Sequence, residues 1–99
     1  DVLGSRGLGD VYKRQMLHIY TVKKDEVVDT YLEKFHHGIT ALDGYGGYSH
    51  HPVSYLTAIV SSYEVGDVLE TLKETDPKII VSVTKVENFI GRFYNKPLD

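Results

Sequence analysis

Near the middle of the chain, three glycines, two tyrosines and an aspartate lie close together, and these residue types suit a ligand-binding loop. Glycine lets the backbone adopt left-handed conformations and approach a ligand closely. Successive backbone N–H groups in such a loop can form an anion-binding nest, and tyrosine rings can stack on a base or another flat ring. The residues are Asp43, Gly44, Tyr45, Gly46, Gly47 and Tyr48. Because no lysine lies among them and no phosphate-loop signature is matched, a mobile, ligand-free hairpin is the alternative.

Two polar residues outside the loop are further candidates for ligand contact. Thr40 precedes the loop and offers a hydroxyl for hydrogen bonding. Arg92 lies near the C-terminus, where the chain can return toward the loop, and a guanidinium pairs bidentately with phosphate or carboxylate. A surface arginine or an intersubunit salt bridge is the alternative for Arg92. The predicted ligand-binding set is therefore Thr40, Asp43, Gly44, Gly46, Gly47, Tyr48 and Arg92.

Two histidine pairs, His36-His37 and His50-His51, are candidate metal ligands. With Asp43 they would offer imidazole and carboxylate groups, which suit zinc or another transition metal. Adjacent histidines usually point in different directions, however, and the spacing matches no zinc motif. The chain also has no cysteine, which excludes disulfides, thiolate metal sites and a cysteine nucleophile. We therefore expect no metal and no cofactor.

The sequence gives little support for an enzymatic function. Ser49, His50 and Asp43 supply the residue types of a Ser–His–Asp triad, but all three lie in one glycine-rich loop. Catalytic groups need rigid support and an orienting set of neighbours, which such a loop does not provide. We therefore predict that the protein is not an enzyme.

The first 15 residues differ in character from the rest of the chain. Residues 1–15 show no apolar periodicity and no starting methionine, and residues 10–15 read DVYKRQ. That string looks like an in-frame translation of the transposon end used in making sequencing libraries. We therefore expect residues 1–15 to be a disordered, non-native leader, to be set aside before considering the fold. A natural N-terminal arm is the alternative, and whether Met16 is a true start is left open.

Residues 16–99 suit one small domain. The whole chain carries 11 Lys and Arg against 14 Asp and Glu, a formal charge of −3. This acidic balance without a basic cluster argues against nucleic acid or an anionic membrane surface as the main partner. No apolar run approaches the ~20 residues needed to span a bilayer, so we expect this fragment to be soluble.

Hydrophobic periodicity predicts six elements in residues 16–99. Strands are expected at 17–22, 39–42, 53–62 and 79–83, where apolar and β-branched residues concentrate. Helical spacing of apolar residues follows Asp25, a candidate N-cap, with His36 and His37 in the last turn and Gly38 as the C-terminal cap. A second amphipathic helix contains Val65 to Leu72 and ends before Asp76-Pro77. Residues 86–93 are ambiguous.

The order β-α-β-β-α-β predicts an α+β, ferredoxin-like sandwich, with a four-stranded, mostly antiparallel sheet and two helices on one face. The opposite sheet face would then meet solvent, although residues 53–62 place apolar side chains on both faces. Large exposed apolar patches usually mark an interface. We therefore expect a homo-oligomer, or docking of this face onto another domain.

Residues 16–99 resemble the C-terminal domain of YitT-type bacterial membrane proteins, a domain of unknown function. Several short motifs occur in the same order as in that family, and it is their order and spacing that carry the resemblance. The sequence differs by one residue in the spacing of the glycine loop, by Thr75 at a usually apolar position, and by the histidines after the loop. The matching segments are Gly38-Ile39-Thr40, Gly44-Tyr45-Gly46-Gly47-Tyr48-Ser49, Glu64, Asp76-Pro77 and Gly91-Arg92-Phe93.

The resemblance implies a multi-helix membrane region upstream, with this domain at the cytoplasmic face of the bacterial inner membrane. It also implies kinship with PII-like signalling domains, which form trimers and bind small ligands, often nucleotides, near the loop between their second and third strands. We therefore expect a regulatory domain that senses a ligand for a membrane protein, for example a transporter. The alternative is a ligand-free assembly module that uses the open sheet face. A third option is a metal-responsive domain built on His36, His37, His50 and His51.

Overall fold

The computed structural model describes residues 13–91, and its elements follow the predicted order. The backbone alternates between extended and helical segments because β-branched runs and amphipathic runs alternate along the chain. A short 3₁₀ turn at Ser62–Glu64 leads directly into the second helix. The strands are β1 (Arg14–Thr21), β2 (Thr40–Tyr45), β3 (Pro52–Ser61) and β4 (Ile80–Val86), and the helices are α1 (Lys24–Phe35) and α2 (Val65–Thr75).

The four strands form one sheet in the order β2-β3-β1-β4. Each neighbouring pair is antiparallel. This is the strand order of a βαββαβ sandwich, so the predicted α+β, ferredoxin-like fold is confirmed. The register places His18 of β1 opposite Thr57 of β3 and Ser82 of β4, and Thr57 is in turn opposite Thr40 of β2.

The hydrophobic core lies between one face of the sheet and both helices. Leu17 and Ile19 of β1 alternate with outward-facing residues and are fully buried, and β3 contributes Leu56, Ala58 and Val60 in the same way. Val27 and Tyr31 of α1 and Val68 and Leu72 of α2 close the core from the other side. Burying one such aliphatic side chain contributes about 1.5–3 kcal/mol, so this layer supplies most of the driving force for folding.

The end of α1 differs from the prediction. The helix stops at Phe35, and His36 adopts the left-handed conformation with φ 61°. The prediction that His36 and His37 form the last turn and that Gly38 is the cap is therefore wrong. The physical reason is that leaving the helix at His36 turns His37 into the protein interior, where it is 5% exposed and meets Glu64. Likewise, α1 begins at Lys24, so Asp25 lies in the first turn and is not the N-cap.

Strand ends also extend beyond the predicted ranges. Pairing with β3 carries β2 through Asp43 and Gly44 to Tyr45, so these residues belong to a strand and not to the loop. Pairing with β1 carries β4 to Val86. Strand β1 begins at Arg14, which was predicted to belong to the leader. The non-native origin of residues 1–15 stays a prediction. Helix α2 ends at Thr75, before Asp76-Pro77, as predicted.

Candidate functional site

The glycine loop is a hairpin turn closed by its own hydrogen bonds. The Gly46 N–H donates to the His51 carbonyl at 2.9 Å, and the His50 N–H donates to the Gly46 carbonyl at 2.8 Å. The rings of Tyr45 and His50 stack with centroids 5.6 Å apart. Within the described part of this loop the left-handed position is His50, with φ 63°, and neither Gly46 nor Gly47 has a positive φ. The Gly46 amide is therefore engaged within the turn and does not point toward an anion.

A cleft of about 360 Å³ lies at the base of this hairpin. Asp43 contributes its carboxylate, which accepts hydrogen bonds from Lys24 Nζ at 2.9 Å and from Ser54 Oγ at 3.1 Å. The hydrogen bond from Lys24, helped by that from Ser54, lowers the pKa of Asp43 below its usual range. The carboxylate is consequently ionised at neutral pH and already has two partners. The cleft is lined by Val22, Asp43, Gly44, Pro52, Val53 and Ser54.

The structure brings together only part of the predicted ligand-binding set. Asp43 and Gly44 line the same cleft. Thr40 lies three residues before Asp43 on β2, opposite Thr57, and points to the other face of the sheet. Gly46, Gly47 and Tyr48 form the hairpin tip, where Tyr48 is fully exposed. Arg92 lies outside the described residues. The roles of these residues in binding stay a prediction.

The sheet face opposite the helices carries a row of large apolar and aromatic side chains. The register aligns Leu42 of β2 with Tyr55 of β3, Tyr55 with Tyr20 of β1, and Tyr20 with Ile80 of β4. Leu42 is 58% exposed and Ile80 is 64% exposed. The Tyr20 and Tyr55 rings contact each other in a tilted arrangement, with centroids 5.2 Å apart. We call the face that contains this row the open face.

A polar row lies beside the apolar row on the open face, and His18 is at its centre. One ring nitrogen of His18, Nδ1, lies 2.8 Å from the Tyr55 hydroxyl. The other, Nε2, lies 3.0 Å from Thr84 Oγ1. Both nitrogens therefore have hydroxyl partners, and hydroxyls can either donate or accept. The rings of His18 and Tyr55 are also stacked, with centroids 6.2 Å apart.

The central part of the open face carries no Asp, Glu, Lys or Arg among the described residues. The residues that alternate onto this face from Met16 to Tyr20 on β1, and those opposite them on the other strands, are apolar, aromatic, hydroxylic or His18. Arg14 is on the same face at the far end of β1. Among residues 13–91, the charged side chains thus lie mainly outside the central part of this face.

Two buried polar pairs connect segments that are distant in the sequence, and neither pair was predicted. His37 Nε2 lies 2.8 Å from Glu64 Oε1, and the side chains are 3% and 12% exposed. Glu64 also accepts the Ser61 N–H at 3.1 Å. The second pair is Thr21 and Asp76, with Thr21 Oγ1 donating to the buried carboxylate. The sequence shows Glu64 ahead of α2 and Asp76 after it. No local pattern, however, indicates that their partners are His37 and Thr21.

Neither a metal site nor a membrane span is found in the part of the chain that the structure describes. Within residues 13–91 no group of three His, Asp or Glu side chains is arranged to hold a metal ion. In the same residues, neither helix is long and apolar enough to cross a bilayer. The two histidine pairs do not converge, because His37 faces Glu64 while His50 stacks on Tyr45 in the hairpin.

The comparison with protein families decides the assignment. The family described as an uncharacterized protein conserved in bacteria (DUF2179) matches residues 37–91, which run from the enclosed His37 through β2, β3, α2 and β4. The chain belongs to the DUF2179 family. This match includes the hairpin and strands β2, β3 and β4, whereas β1, with His18 and Tyr20 of the open face, precedes it.

A membrane protein of Bacillus subtilis (strain 168) contains a related segment. The chain is 27% identical over 75 residues to the UPF0750 membrane protein YitT, and the aligned part covers 76% of this chain. The chain spans only 27% of that relative's length. The predicted resemblance to YitT-type proteins is therefore confirmed as a DUF2179 domain related to a membrane protein.

Two solved structures share the fold. A functionally unknown protein from Pediococcus pentosaceus ATCC 25745 superimposes with a TM-score of 0.69 at 19% identity, over 84% of this chain and 99% of that one. A DUF2179 protein from Eubacterium ventriosum superimposes with a TM-score of 0.60 at 24% identity, over 72% of this chain and 97% of that one. At these identities the likeness concerns the fold alone.

Proposed function

We propose that this DUF2179 domain is an assembly domain of a membrane protein, in which copies of the domain associate through the open face. The observation that carries the proposal is the row of Leu42, Tyr55, Tyr20 and Ile80 on a sheet face that no helix of residues 13–91 covers. Contiguous apolar surface of this kind usually marks an interface. Aromatic residues, tyrosine in particular, are enriched at such interfaces.

Charge favours a second copy as the occupant of this face. Each chain carries a formal charge of −3, so two copies repel each other where their acidic surfaces meet. The central open face lacks carboxylates and ammonium groups, and copies can therefore pack there without apposing like charges. An anionic lipid surface, by contrast, would be repelled by the acidic chain as a whole. In the parent protein we place the domain at the cytoplasmic face of the bacterial inner membrane, where its association would hold neighbouring membrane regions together.

Sedimentation velocity on a matched pair of leucine variants tests the proposal. Leu42 on the open face and Leu32 on α1 are 58% and 45% exposed, so a glutamate at either position meets comparable solvent in the monomer. We expect the wild-type chain and Leu32→Glu to associate with increasing concentration, and Leu42→Glu to stay monomeric. Loss of association in both variants, or in neither, would contradict an interface on the open face.

Ligand sensing at the hairpin is a second candidate function, and the cleft beside Asp43 and Gly44 favours it. Binding of a small molecule there would order the hairpin and alter its contact with the membrane region, a change of a known regulatory type. A nucleotide is the class that the resemblance implies. A ligand at ~100 times its dissociation constant would stabilise the domain by about 2.7 kcal/mol, which thermal unfolding detects.

The matching experiment screens nucleotides, cyclic dinucleotides and divalent metals by thermal unfolding. We expect Gly46→Val to abolish a ligand-dependent shift, because a Cβ at Gly46 would already lie 3.2 Å from Ser49 Oγ and crowd the hairpin. Gly66→Ala is the control, since nothing lies within 4 Å of a Cβ at that helical position. No shift with any compound would eliminate sensing of these classes, and a shift unaffected by Gly46→Val would exclude the hairpin as the site.

A further inference from the structure

His18 occupies the centre of the open face, and we propose that its protonation weakens the association of copies through that face. This inference rests on the assembly proposed above and adds a means of regulation by pH. Histidine is the side chain whose charge ordinarily changes between pH 5 and 8. His18 is the only histidine on the four strands of the sheet in the described residues, because the others lie between α1 and β2 or in the hairpin.

The hydrogen bonds of His18 change their direction on protonation. A neutral imidazole has one N–H and one bare nitrogen, so one of its two hydroxyl partners donates to the ring and the other accepts from it. An imidazolium donates from both nitrogens, and the hydroxyls of Tyr55 and Thr84 must then both accept. One hydroxyl hydrogen is therefore released from the ring and requires a new acceptor.

Protonation also introduces charge where the face has none. The groups around the ring are Tyr20 on its own strand, Tyr55 and Thr57 on β3, and Ser82 and Thr84 on β4. None of these carries a charge at neutral or mildly acidic pH, and the central face offers no carboxylate to compensate an imidazolium. Arg14, at the far end of β1, adds a charge of the same sign. A positive charge enclosed by a second copy is therefore uncompensated, which is costly.

The sign of the pH effect separates this proposal from a general effect of charge. As the pH falls from 8.0 to 5.5, the net negative charge of the chain diminishes and copies repel each other less. General electrostatics thus predicts tighter association at the lower pH. Protonation of His18 predicts weaker association, because each copy brings a cation to the shared face. The two explanations give opposite results in the same titration.

The test is sedimentation equilibrium of the full chain at pH 8.0 and pH 5.5, for wild type, His18→Gln and His51→Gln. We expect the apparent dissociation constant of wild type and of the exposed control His51→Gln to rise by at least about tenfold at the lower pH. His18→Gln keeps a hydrogen-bonding side chain but does not titrate, so its association should be the same or tighter at pH 5.5. His18→Asn repeats the test, and circular dichroism verifies that each variant is folded.

Each result has a distinct meaning. A wild-type chain that associates equally at both pH values, or more tightly at pH 5.5, would overturn the role of His18 and leave the assembly proposal intact. The same pH dependence in wild type and in His18→Gln would overturn it as well, by assigning the effect to another group. A chain that is monomeric at both pH values would overturn the assembly proposal and the inference that rests on it.

Discussion

Thr21 Oγ1 donates a hydrogen bond to Asp76 Oδ2 at 2.5 Å and thereby joins the end of β1 to the end of α2. Both residues are buried, with 3% of their surface exposed. Asp76 Oδ1 also accepts the Lys78 N–H at 3.0 Å, and the Asp76 carbonyl accepts that of Ile79. This one aspartate thus ends the helix, shapes the turn and connects both to the first strand.

Asp76→Asn should destabilise the domain by about 2 kcal/mol, because hydrogen bonds to a charged acceptor contribute about 1.5–3 kcal/mol each and the amide weakens them. Asp29→Asn, at an exposed position on α1, is the control and should change stability by less than about 0.5 kcal/mol. Urea unfolding followed by circular dichroism measures both. Equal effects of the two substitutions would show that the Thr21–Asp76 link has no special role.

Tyr31 is the largest fully buried side chain, and its hydroxyl has no hydrogen-bond partner among residues 13–91. An enclosed hydroxyl without a partner costs about 1–3 kcal/mol. Tyr31→Phe removes that hydroxyl and keeps the ring, together with its contact with Phe35. We therefore expect the substitution to be neutral or stabilising at pH 7 in urea unfolding, with the exposed Tyr48→Phe unchanged. A loss of more than ~1 kcal/mol on changing Tyr31 would contradict an unpartnered hydroxyl.

The same tyrosine should make the domain sensitive to alkaline pH. Burial, together with the nearby Glu64 carboxylate, raises the pKa of Tyr31 above its usual range. The folded-state pKa exceeds the unfolded value of about 10. The contribution of Tyr31 to the free energy of unfolding is therefore complete below pH ~10 and is lost as the pH rises above it. The free energy of unfolding should fall by about 1.4 kcal/mol per pH unit there through this group alone. Subtracting the profile of Tyr31→Phe isolates that slope, and identical profiles would refute it.

His36 ends α1 in the left-handed conformation, which is unfavourable for a residue with a Cβ. Glycine is the residue that most often occupies this position at helix ends. His36→Gly should therefore stabilise the domain by about 0.5–1 kcal/mol in thermal or urea unfolding. Lys34→Gly, two residues earlier and still helical, should destabilise it by about 1 kcal/mol. Destabilisation by both substitutions would mean that His36 has contacts whose loss outweighs the relief of strain.

The local sequence pattern was sufficient to predict the fold. The arrangement of the candidate site, in contrast, depends on contacts between segments that are distant in the sequence. Helix α2 and its end at Asp76-Pro77 could be predicted because amphipathic spacing and proline act through the nearest residues. The open face was predictable from the two-sided apolar character of β3. The pairing of His37 with Glu64 could not be predicted, since it depends on where α1 ends and how the next segment returns to the core.

The glycine loop illustrates the same difference. Glycine content indicated a flexible segment, but antiparallel pairing with β3 extends β2 through Gly44 and leaves a short, internally bonded turn. Backbone pairing between strands thus determined how much of the segment is a loop. The two hydroxyl partners of His18 likewise come from residues 37 and 66 positions away in the sequence.

Thiol labelling at single cysteines tests the central claim, that copies meet at the open face, most directly. The chain has no cysteine, so Ser82→Cys places one thiol on the exposed surface of β4 beside His18, and Glu33→Cys places one on the exposed side of α1. At pH 8.0 we expect the labelling rate at position 82 to fall as protein concentration rises, while that at position 33 stays constant. Rates at position 82 that do not depend on concentration, up to the highest concentration reached, would contradict association through this face.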